Sequence, residues 1–376
     1  MLQQLRQRGA DGIVCAMSGN FVQRGECAVA GKLARAEMAL GCGADLVLEI
    51  PTPWAAAAAE TFARGGVALL RATGVVDELA FGAECADIAA LQAVADALDS
   101  PAYEEALRAV PDGGETFAAR RQRAVAAVLD PERAALLEQP NNILAVEYLR
   151  QLRGTGIAPV AVPRKGAAHD AADPEGKTAS ASHVRGLLRT GRTEEALAFL
   201  PESAAQILRR EMAEGRAPAD MACGERAILS RLRRMSEDDW RGYDAGSEGL
   251  YHRLCQAAQK ARSLQELLEL AKTKRYPMAR LRRMALAAWL ELPAPPAEMP
   301  YIRLLGANET GRRLLRRMKG APVLTKAADV AALGPAAEEL FRRESAWSDQ
   351  YALLCPGILP CGEDWRTTPV MRSEEK

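Results

Sequence analysis

The sequence predicts an α/β domain with a doubly wound parallel sheet over residues 1–200, followed by an all-α domain over residues 201–376. Two observations predict this division. In the first part, short apolar runs typical of buried strands alternate with segments of helical spacing. From about residue 200, apolar residues recur at three- and four-residue steps, which indicates helices alone. A chain of 376 residues also suits two domains better than one.

The strands of the first domain are predicted from four apolar runs. These are GIVCAM (12–17), DLVLEI (45–50), ELAFGAE (78–84) and GIAPVAV (156–162). The intervening segments 31–43 and 86–98 have helical spacing and end at glycine or a polar turn. Strand–helix alternation implies a parallel sheet with right-handed crossovers. Ligands are therefore expected beyond the carboxyl ends of the strands, where Gly82 lies.

The second domain is predicted from helical segments and one stiff connector. The helical segments are 201–215, 225–236, 248–276, 278–292 and 309–320. The proline-rich connector is LPAPPAEMP (292–300). We place the boundary between the two domains near residue 200.

Charge is unevenly distributed along the chain. The net charge is −5 over residues 1–200 and +5 over residues 201–376. Residues 226–319 alone hold 20 basic and 10 acidic side chains. A basic part joined to an acidic one suggests a polyanionic partner for the second domain. The alternative is a helical bundle with arginine-rich solvated faces, and charge alone favours neither.

Several classes of protein are disfavoured by composition. No apolar run has the length of a membrane span, and the N-terminal segment lacks the apolar core of a signal peptide. We therefore expect a cytoplasmic protein. The eight cysteines are scattered without a CxxC pair, which predicts reduced thiols. With only three histidines, a histidine-rich metal site is not expected.

A glycine-rich, cationic stretch follows the first strand. AMSGNFVQRGECAVAGKLARAE (16–37) contains Arg24, Lys32 and Arg35 and leads into a helix. It has neither the dinucleotide-binding GxGxxG spacing nor that of a P-loop. Glycines and backbone amides after the strand can cradle an anion, with Lys32 and Arg35 one helical turn apart. The alternative is a plain turn with a solvated helix face.

Three further segments carry polar groups suited to a nucleotide. Asn141 and Asn142 precede an amphipathic helix, where an asparagine either caps the helix or binds an adenine edge or a ribose hydroxyl. Arg164 follows a strand, where it either binds a phosphate or belongs to a charged turn. A third set lies at a helix start and can grip phosphates, although one serine there is expected to be a simple cap. This set is Ser180, Ser182 and Arg185.

In their order along the chain, these segments resemble the bacterial tRNA(Met) cytidine acetate ligase family of the HxGH nucleotidyltransferase superfamily. The resemblance covers nearly the whole chain, and its most specific string is MSGNFVQRGECAVAGKLARAEMALGCGADLVLEIP (17–51). The other strings of the first part are FARGGVALL, FGAE, PNNILAVEYL, RKGAAHD and ASASHVRGLL. In the second part they are SEGLYHRLCQAAQKARSLQELLELAKTKRYPMARLRRM and YIRLLGANETGRRLLR.

The resemblance implies an ATP-dependent ligase that activates acetate as acetyl-adenylate, with Mg2+ accompanying the ATP. The acetyl group then passes to N4 of the wobble cytidine of elongator tRNA(Met). A Rossmann-like nucleotidyltransferase domain is implied for residues 1–200 and a tRNA-binding domain for residues 201–376. The implied ATP contacts are Gly82, Asn141 or Asn142, and Arg164. The implied second phosphate motif is Ser180, Ser182 and Arg185.

One family feature has no counterpart in this sequence. The NPFHNGH-like segment, whose histidines hold the triphosphate in the family, is absent from the 376 residues, and His169, His183 and His252 lack its spacing. We therefore expect an N-terminally shortened member with impaired adenylation and an open edge on its first strand, and we assign no catalytic residue.

Two alternative functions stay open. The first is a nucleotidyltransferase acting on a small metabolite, which the basic helical half disfavours. The second is a non-catalytic tRNA-binding remnant of the family, which the missing histidine segment keeps open.

Overall fold

The computed structural model of the chain describes residues 1–111, 114–164, 179–243 and 249–373. Its strands are β1 (Val14–Ser18), β2 (Phe21–Val22), β3 (Glu26–Cys27), β4 (Leu46–Ile50), β5 (Glu78–Ala83), β6 (Ala158–Pro163), β7 (Ile302–Ala307), β8 (Val323–Leu324) and β9 (Val370–Met371).

Helices surround these strands, and two short 3₁₀ turns lie at Ala135–Glu138 and Ala327–Leu333. The helices up to residue 200 are α1 (Leu2–Gln7), α2 (Lys32–Gly41), α3 (Thr52–Ala55), α4 (Ala59–Thr73), α5 (Ile88–Leu98), α6 (Pro101–Ala109), α7 (Phe117–Val128), α8 (Pro131–Ala134), α9 (Pro140–Leu152), α10 (Ala181–Arg189) and α11 (Thr193–Leu197). Those beyond it are α12 (Glu202–Ala213), α13 (Glu225–Arg234), α14 (Glu237–Arg241), α15 (Leu250–Lys260), α16 (Leu264–Ala271), α17 (Met278–Leu290), α18 (Glu309–Arg317), α19 (Pro335–Ala352) and α20 (Glu363–Arg366).

The main sheet has the strand order β1-β4-β7-β8, with β9 also paired to β7. β1 runs parallel to β4, with Val14 opposite Leu46 and Ser18 opposite Ile50. All five residues of β4 are buried, as expected for a strand covered on both faces. The four strands predicted in the first part are therefore confirmed, with small shifts at their ends.

The second part is not purely helical, because β7 pairs antiparallel with β4. This strand is a continuous apolar run, and all six of its residues are buried. Its partner lies about 250 residues earlier in the chain, so helical periodicity around it gave no sign of the pairing. Strands from both sides of residue 200 consequently share one sheet. The main sheet is therefore continuous across the domain boundary predicted near residue 200.

A separate two-stranded sheet is formed by β5 and β6, which run parallel from Glu78 opposite Ala158 to Ala83 opposite Pro163. Among the described residues, no strand pairs with the edge of β1 opposite β4 or with the edge of β5 opposite β6. A groove of about 530 Å³, lined by residues of both strands and of α1, lies between them.

One hydrophobic core joins the main sheet to the helices that follow residue 200. Leu46 and Leu48 of β4 belong to the same buried cluster as Leu232, Trp240 and Trp289 of the helical part. No helix among the described residues is long and apolar enough to cross a membrane. All eight cysteines lie in the described ranges as free thiols.

Candidate nucleotide and RNA site

The carboxyl end of β5 is bound to the start of α9 through Glu84. Its carboxylate accepts hydrogen bonds from the side-chain amide of Asn141 at 2.5 Å and from the backbone N–H of Asn142 at 2.9 Å. The side-chain oxygen of Asn142 accepts in turn from the N–H of Cys85 at 2.8 Å. Neither asparagine is the N-cap, which is Gln139, so the expectation that one of them caps the helix is wrong. One free backbone amide of the helix start, that of Asn142, is met instead by a carboxylate from another element.

Arg164 lies at the carboxyl end of β6, beside Gly82. Its backbone N–H donates to the carbonyl of Ala83 at 3.0 Å. A Cβ atom added to Gly82 would lie 3.6 Å from Cγ of Arg164. The structure therefore brings four sequence-predicted residues together with one that was not predicted. We call this group the strand-end cluster: Gly82, Glu84, Asn141, Asn142 and Arg164.

A second group forms at the N-terminus of α10. Ser180 is the N-cap of this helix and accepts from the N–H of His183 at 3.1 Å, as expected for one serine of the motif. The hydroxyl of Ser182 accepts from Arg24 at 2.8 Å and from Arg185 at 3.3 Å. We call Arg24, Ser180, Ser182 and Arg185 the helix-start cluster. It combines a helix N-terminus, hydroxyl groups and two guanidinium groups, which is chemistry suited to a phosphate.

The surroundings of the helix-start cluster are electropositive. Burial lowers the pKa of Arg185 below its ordinary value, and the nearby charges of Arg24, Arg189 and Arg282 lower it further. Glu26 opposes this effect only in part. Since the positive form of Arg185 is disfavoured there, an anion bound beside it would relieve the repulsion.

Lys32 does not belong to either cluster, and the structure contradicts its assignment to a phosphate. Its side chain is only 2% exposed, and the ammonium group lies 3.0 Å from Glu49 and 2.9 Å from Asp364. The backbone N–H of Lys32, at the start of α2, donates to the side-chain oxygen of Asn20 at 2.9 Å. Both the ammonium group and this N–H of the helix start are thus satisfied within the protein.

The three cations of the stretch 16–37 consequently have different roles. Arg35 donates to the backbone carbonyls of Ser18, Gly19 and Ala30 and holds the loop together. Arg24 alone among the three reaches the helix-start cluster, through Ser182. Its partner is 158 residues away, so local sequence could not identify it.

Glu84 is the other functional candidate that sequence reasoning missed. In the string FGAE (81–84), only Gly82 was predicted to contact the nucleotide, although Glu84 directly follows the end of a strand. The signal in the sequence is Gln139 before Pro140, because glutamine is not a preferred N-cap residue. In the structure Gln139 is the N-cap of α9 and makes no side-chain cap hydrogen bond. A helix start without a local cap needs a partner from another part of the chain.

The two clusters are joined by residues 165–178, which are outside the described residues. Lys165 and His169 of the string RKGAAHD fall in this interval. No described hydrogen bond or ion pair links the strand-end cluster directly to the helix-start cluster.

The loop that carries Arg24 lies against the basic helices of the second part. Gly25 has a φ of +73°, and a Cβ added there would lie 2.4 Å from the backbone nitrogen of Arg283 in α17. Only glycine permits both this conformation and this approach. The helix-start cluster therefore lies beside the basic region, by which we mean residues 226–319.

Many cations of the basic region are exposed. Arg241 lies over the ring of Tyr251 at 4.8 Å, and a cation beside an aromatic ring suits the phosphates and unstacked bases of RNA. Arg280 lies 5.5 Å from the ring centre of Tyr276, but this ring is only 5% exposed and belongs to the core. The exposed cations are Arg226, Arg233, Arg234, Arg241, Arg253, Lys260, Arg262, Lys272, Lys274, Arg313, Arg316, Arg317 and Lys319.

Comparison with known proteins identifies the family. The HIGH Nucleotidyl Transferase family matches residues 1–359. A tRNA(Met) cytidine acetate ligase of Syntrophomonas wolfei is 33% identical, over 98% of this chain and 95% of its own length. The chain belongs to the tRNA(Met) cytidine acetate ligase family of HIGH nucleotidyl transferases. A second family member, from Acetivibrio thermocellus, is 32% identical over 95% of this chain and 92% of its own length.

Two solved structures of Thermotoga maritima TmcAL share the fold. Thermotoga maritima TmcAL in its apo form superposes with a TM-score of 0.94 at 32% identity, covering 99% of this chain and 96% of that protein. The same protein bound with alpha-thio ATP superposes with a TM-score of 0.91 at 31% identity, covering 99% and 95%. The mixed α/β fold predicted from sequence is thus confirmed by a homologous structure.

Proposed function

We propose that this protein is an ATP-dependent ligase that activates acetate as acetyl-adenylate and transfers the acetyl group to N4 of the wobble cytidine of elongator tRNA(Met). The observation that carries the proposal is the convergence of Arg24 and Arg185 on Ser182 at the N-terminus of α10. The relatives named tRNA(Met) cytidine acetate ligase and the related protein that binds alpha-thio ATP support it.

The chemistry needs two steps, the first at the α-phosphorus of ATP and the second at the acetyl carbon, with the α-phosphate as part of the leaving group. An acetate oxygen forms a bond to the α-phosphorus of ATP, and pyrophosphate leaves with the electron pair of the broken P–O bond. The cytidine amine then forms a bond to the acetyl carbon, AMP leaves with the electron pair of the C–O bond, and the amine proton passes to water. Both steps develop negative charge on phosphate oxygens, which fixed guanidinium groups stabilise.

The two clusters suit different parts of the nucleotide. In the helix-start cluster, Arg24, Arg185 and the hydroxyl of Ser182 would hold phosphate oxygens. In the strand-end cluster, the side chain of Asn141 and the exposed Arg164 lie at the carboxyl end of a parallel strand pair, the usual ligand position in such sheets. Mg2+ would accompany the ATP, held mainly by its phosphates and water, as is usual for this ion at nucleotide sites.

The test is ATP binding by titration calorimetry with Arg185→Gln and a matched control. Arg185→Gln should weaken binding at least about tenfold, because a charge-assisted contact to phosphate is lost. Arg192→Gln is the control, since Arg192 is exposed and pairs with Glu195 three residues away. Equal affinity of the two variants would contradict the assignment of the phosphates to α10.

Transfer of radiolabelled acetate to RNA separates this proposal from an enzyme of small-molecule metabolism. Elongator tRNA(Met) should bind and accept label in preference to a tRNA with uridine at the wobble position. Binding of the tRNA, and not transfer of label, is the primary readout. The reason is that the 376 residues contain no NPFHNGH-like segment, which in the family holds the triphosphate for the first step. A chain that binds ATP but no tRNA would favour the metabolite enzyme.

A further inference from the structure

A cavity of about 590 Å³ lies between α10 and the basic helices. It is bounded by the segment around β3, by one face of α10, by the loop at 218–225 and by α13, α16 and α17. Arg185 is part of both the cavity wall and the helix-start cluster. The cavity therefore begins within one side-chain length of the proposed phosphate position.

The floor of the cavity is apolar and firmly packed. Leu188, Ile228, Leu268 and Leu286 all line it, and each is at most 6% exposed. Such side chains offer flat, water-excluding walls against which the face of a planar ring can lie. A volume of about 590 Å³ lies within the usual range for a site that binds a small molecule or a single nucleotide.

The rim of the cavity is polar, and it carries carboxylates fixed in place by arginines. Arg189 lies 2.5 Å from Asp220 and 3.8 Å from Glu26, and Arg282 lies 2.8 Å from Glu26. Each carboxylate keeps further lone pairs that can accept hydrogen bonds. An exocyclic amine is the base-edge donor that Asp and Glu recognise on cytosine.

Arg185 differs from its two neighbours on the rim. Its hydrogen bond to Ser182 is 3.3 Å long, and none of the ion pairs among the described residues includes it. Burial and three nearby arginines disfavour its charge, whereas Arg189 and Arg282 each have a carboxylate partner. A phosphate in the neighbouring cluster would supply the missing counter-charge.

We propose that this cavity receives the acceptor cytosine, unstacked from its RNA loop, with its ring on the apolar floor and its N4 amine directed to the carboxylates of Glu26 and Asp220. The inference rests on the proposed function and adds the location of the acceptor base. Enzymes that modify a base take it out of the stack into a pocket of this kind. The amine is then held on the side of the cavity that adjoins Arg185, where the acetyl-adenylate would lie.

The experiment is photocrosslinking of the full chain to a 17-nucleotide stem-loop with 5-iodocytidine at the acceptor position, followed by mass spectrometry of the crosslinked peptide. The crosslinks are expected in the segments 218–228 and 264–268, which line the cavity. Gln265→Arg should reduce crosslinking at least tenfold, because Gln265 lines the cavity but is itself exposed and tolerates a larger side chain.

Leu270→Arg is the matched control, because it adds the same side chain on the same helix at a position that is 45% exposed and outside the cavity lining. This variant should crosslink like the unmodified chain, and both variants should keep the same ATP affinity and melting temperature. Crosslinks confined to other segments, or equal crosslinking of the two variants, would overturn the cavity assignment while leaving the proposed function intact. Failure of the stem-loop to bind at low salt would overturn the proposed function and this inference together.

Discussion

Lys32 illustrates how a residue's role depends on partners far along the chain. Its neighbours in sequence suggested a phosphate ligand, but Asp364, 332 residues away, takes one of its hydrogen bonds. Arg303 contacts the same two carboxylates, at 3.4 Å from Glu49 and 3.1 Å from Asp364. These four side chains form a buried network of two cations and two anions that ties α2, β4, β7 and α20 together.

Removal of Lys32 should therefore affect stability and not nucleotide affinity. Lys32→Met leaves two buried carboxylates with one cation, and we expect the free energy of unfolding to fall by about 3–5 kcal/mol. The measurement is urea denaturation, with Arg192→Met as the control, for which the change should stay within about 0.5 kcal/mol. A stable Lys32→Met protein with weakened ATP binding would restore the phosphate role.

Glu344, next to this network, should make stability depend on pH. Burial and the neighbouring Glu49 raise its pKa from 4.5 to about 8. Between these values the folded protein holds a proton that the unfolded chain has released, so stability should decrease as pH rises from about 4.5 to about 8. Glu344→Gln should reduce this decrease, as measured by urea midpoints at pH 5.5 and pH 8. The same pH dependence in both proteins would contradict the raised pKa.

The elements themselves were largely predictable from apolar periodicity. The runs 45–50 and 78–84 became Leu46–Ile50 and Glu78–Ala83. The exceptions depend on contacts between distant segments. Strand β7 was missed because its partner β4 is remote, and Glu84 was missed because it meets α9 across 57 residues. Local pattern identifies an element, but it cannot identify a distant partner.

Gly25, in the turn between β2 and β3, allows a test of how the loop that carries Arg24 is held against helix α17. Gly25→Ala should cost about 2 kcal/mol or more, since the new Cβ meets the α17 backbone and φ is positive. Gly31→Ala is the control, because Gly31 has open space around it and a φ of −57°. The check is thermal unfolding of both variants. Equal melting temperatures would mean that the loop is not held against α17.

At the scale of the whole molecule, charge and fold divide the chain differently. The net charge changes sign near residue 200, while the main sheet takes strands from both sides of that position. Sequence periodicity predicted helices for residues 226–319, but it predicted neither strand β7 within them nor the core that they share with the main sheet. The basic surface is thus packed against the part of the proposed nucleotide site that carries Arg24, through the contact of Gly25 with α17.

RNA binding by this surface should depend strongly on salt. Each phosphate contact releases a condensed counterion, so about four contacts would reduce affinity by about 100-fold between 50 and 200 mM salt. The measurement is a filter-binding or fluorescence titration of elongator tRNA(Met) at several salt concentrations. Affinity that does not change with salt would rule out phosphate contacts as the main source of binding.

The groove between β1 and β5 separates the α/β part into two blocks. The smaller block, residues 78–163 as far as they are described, touches the main sheet through helix packing such as that of α4 on α9, without a backbone ladder between the sheets. It can open by local unfolding while every hydrogen bond of the main sheet stays intact. The strand-end cluster lies on this block except for Arg164, which directly follows it, so a nucleotide bound there would slow deuterium uptake throughout residues 78–163 and leave the uptake of β4 and β7 unchanged.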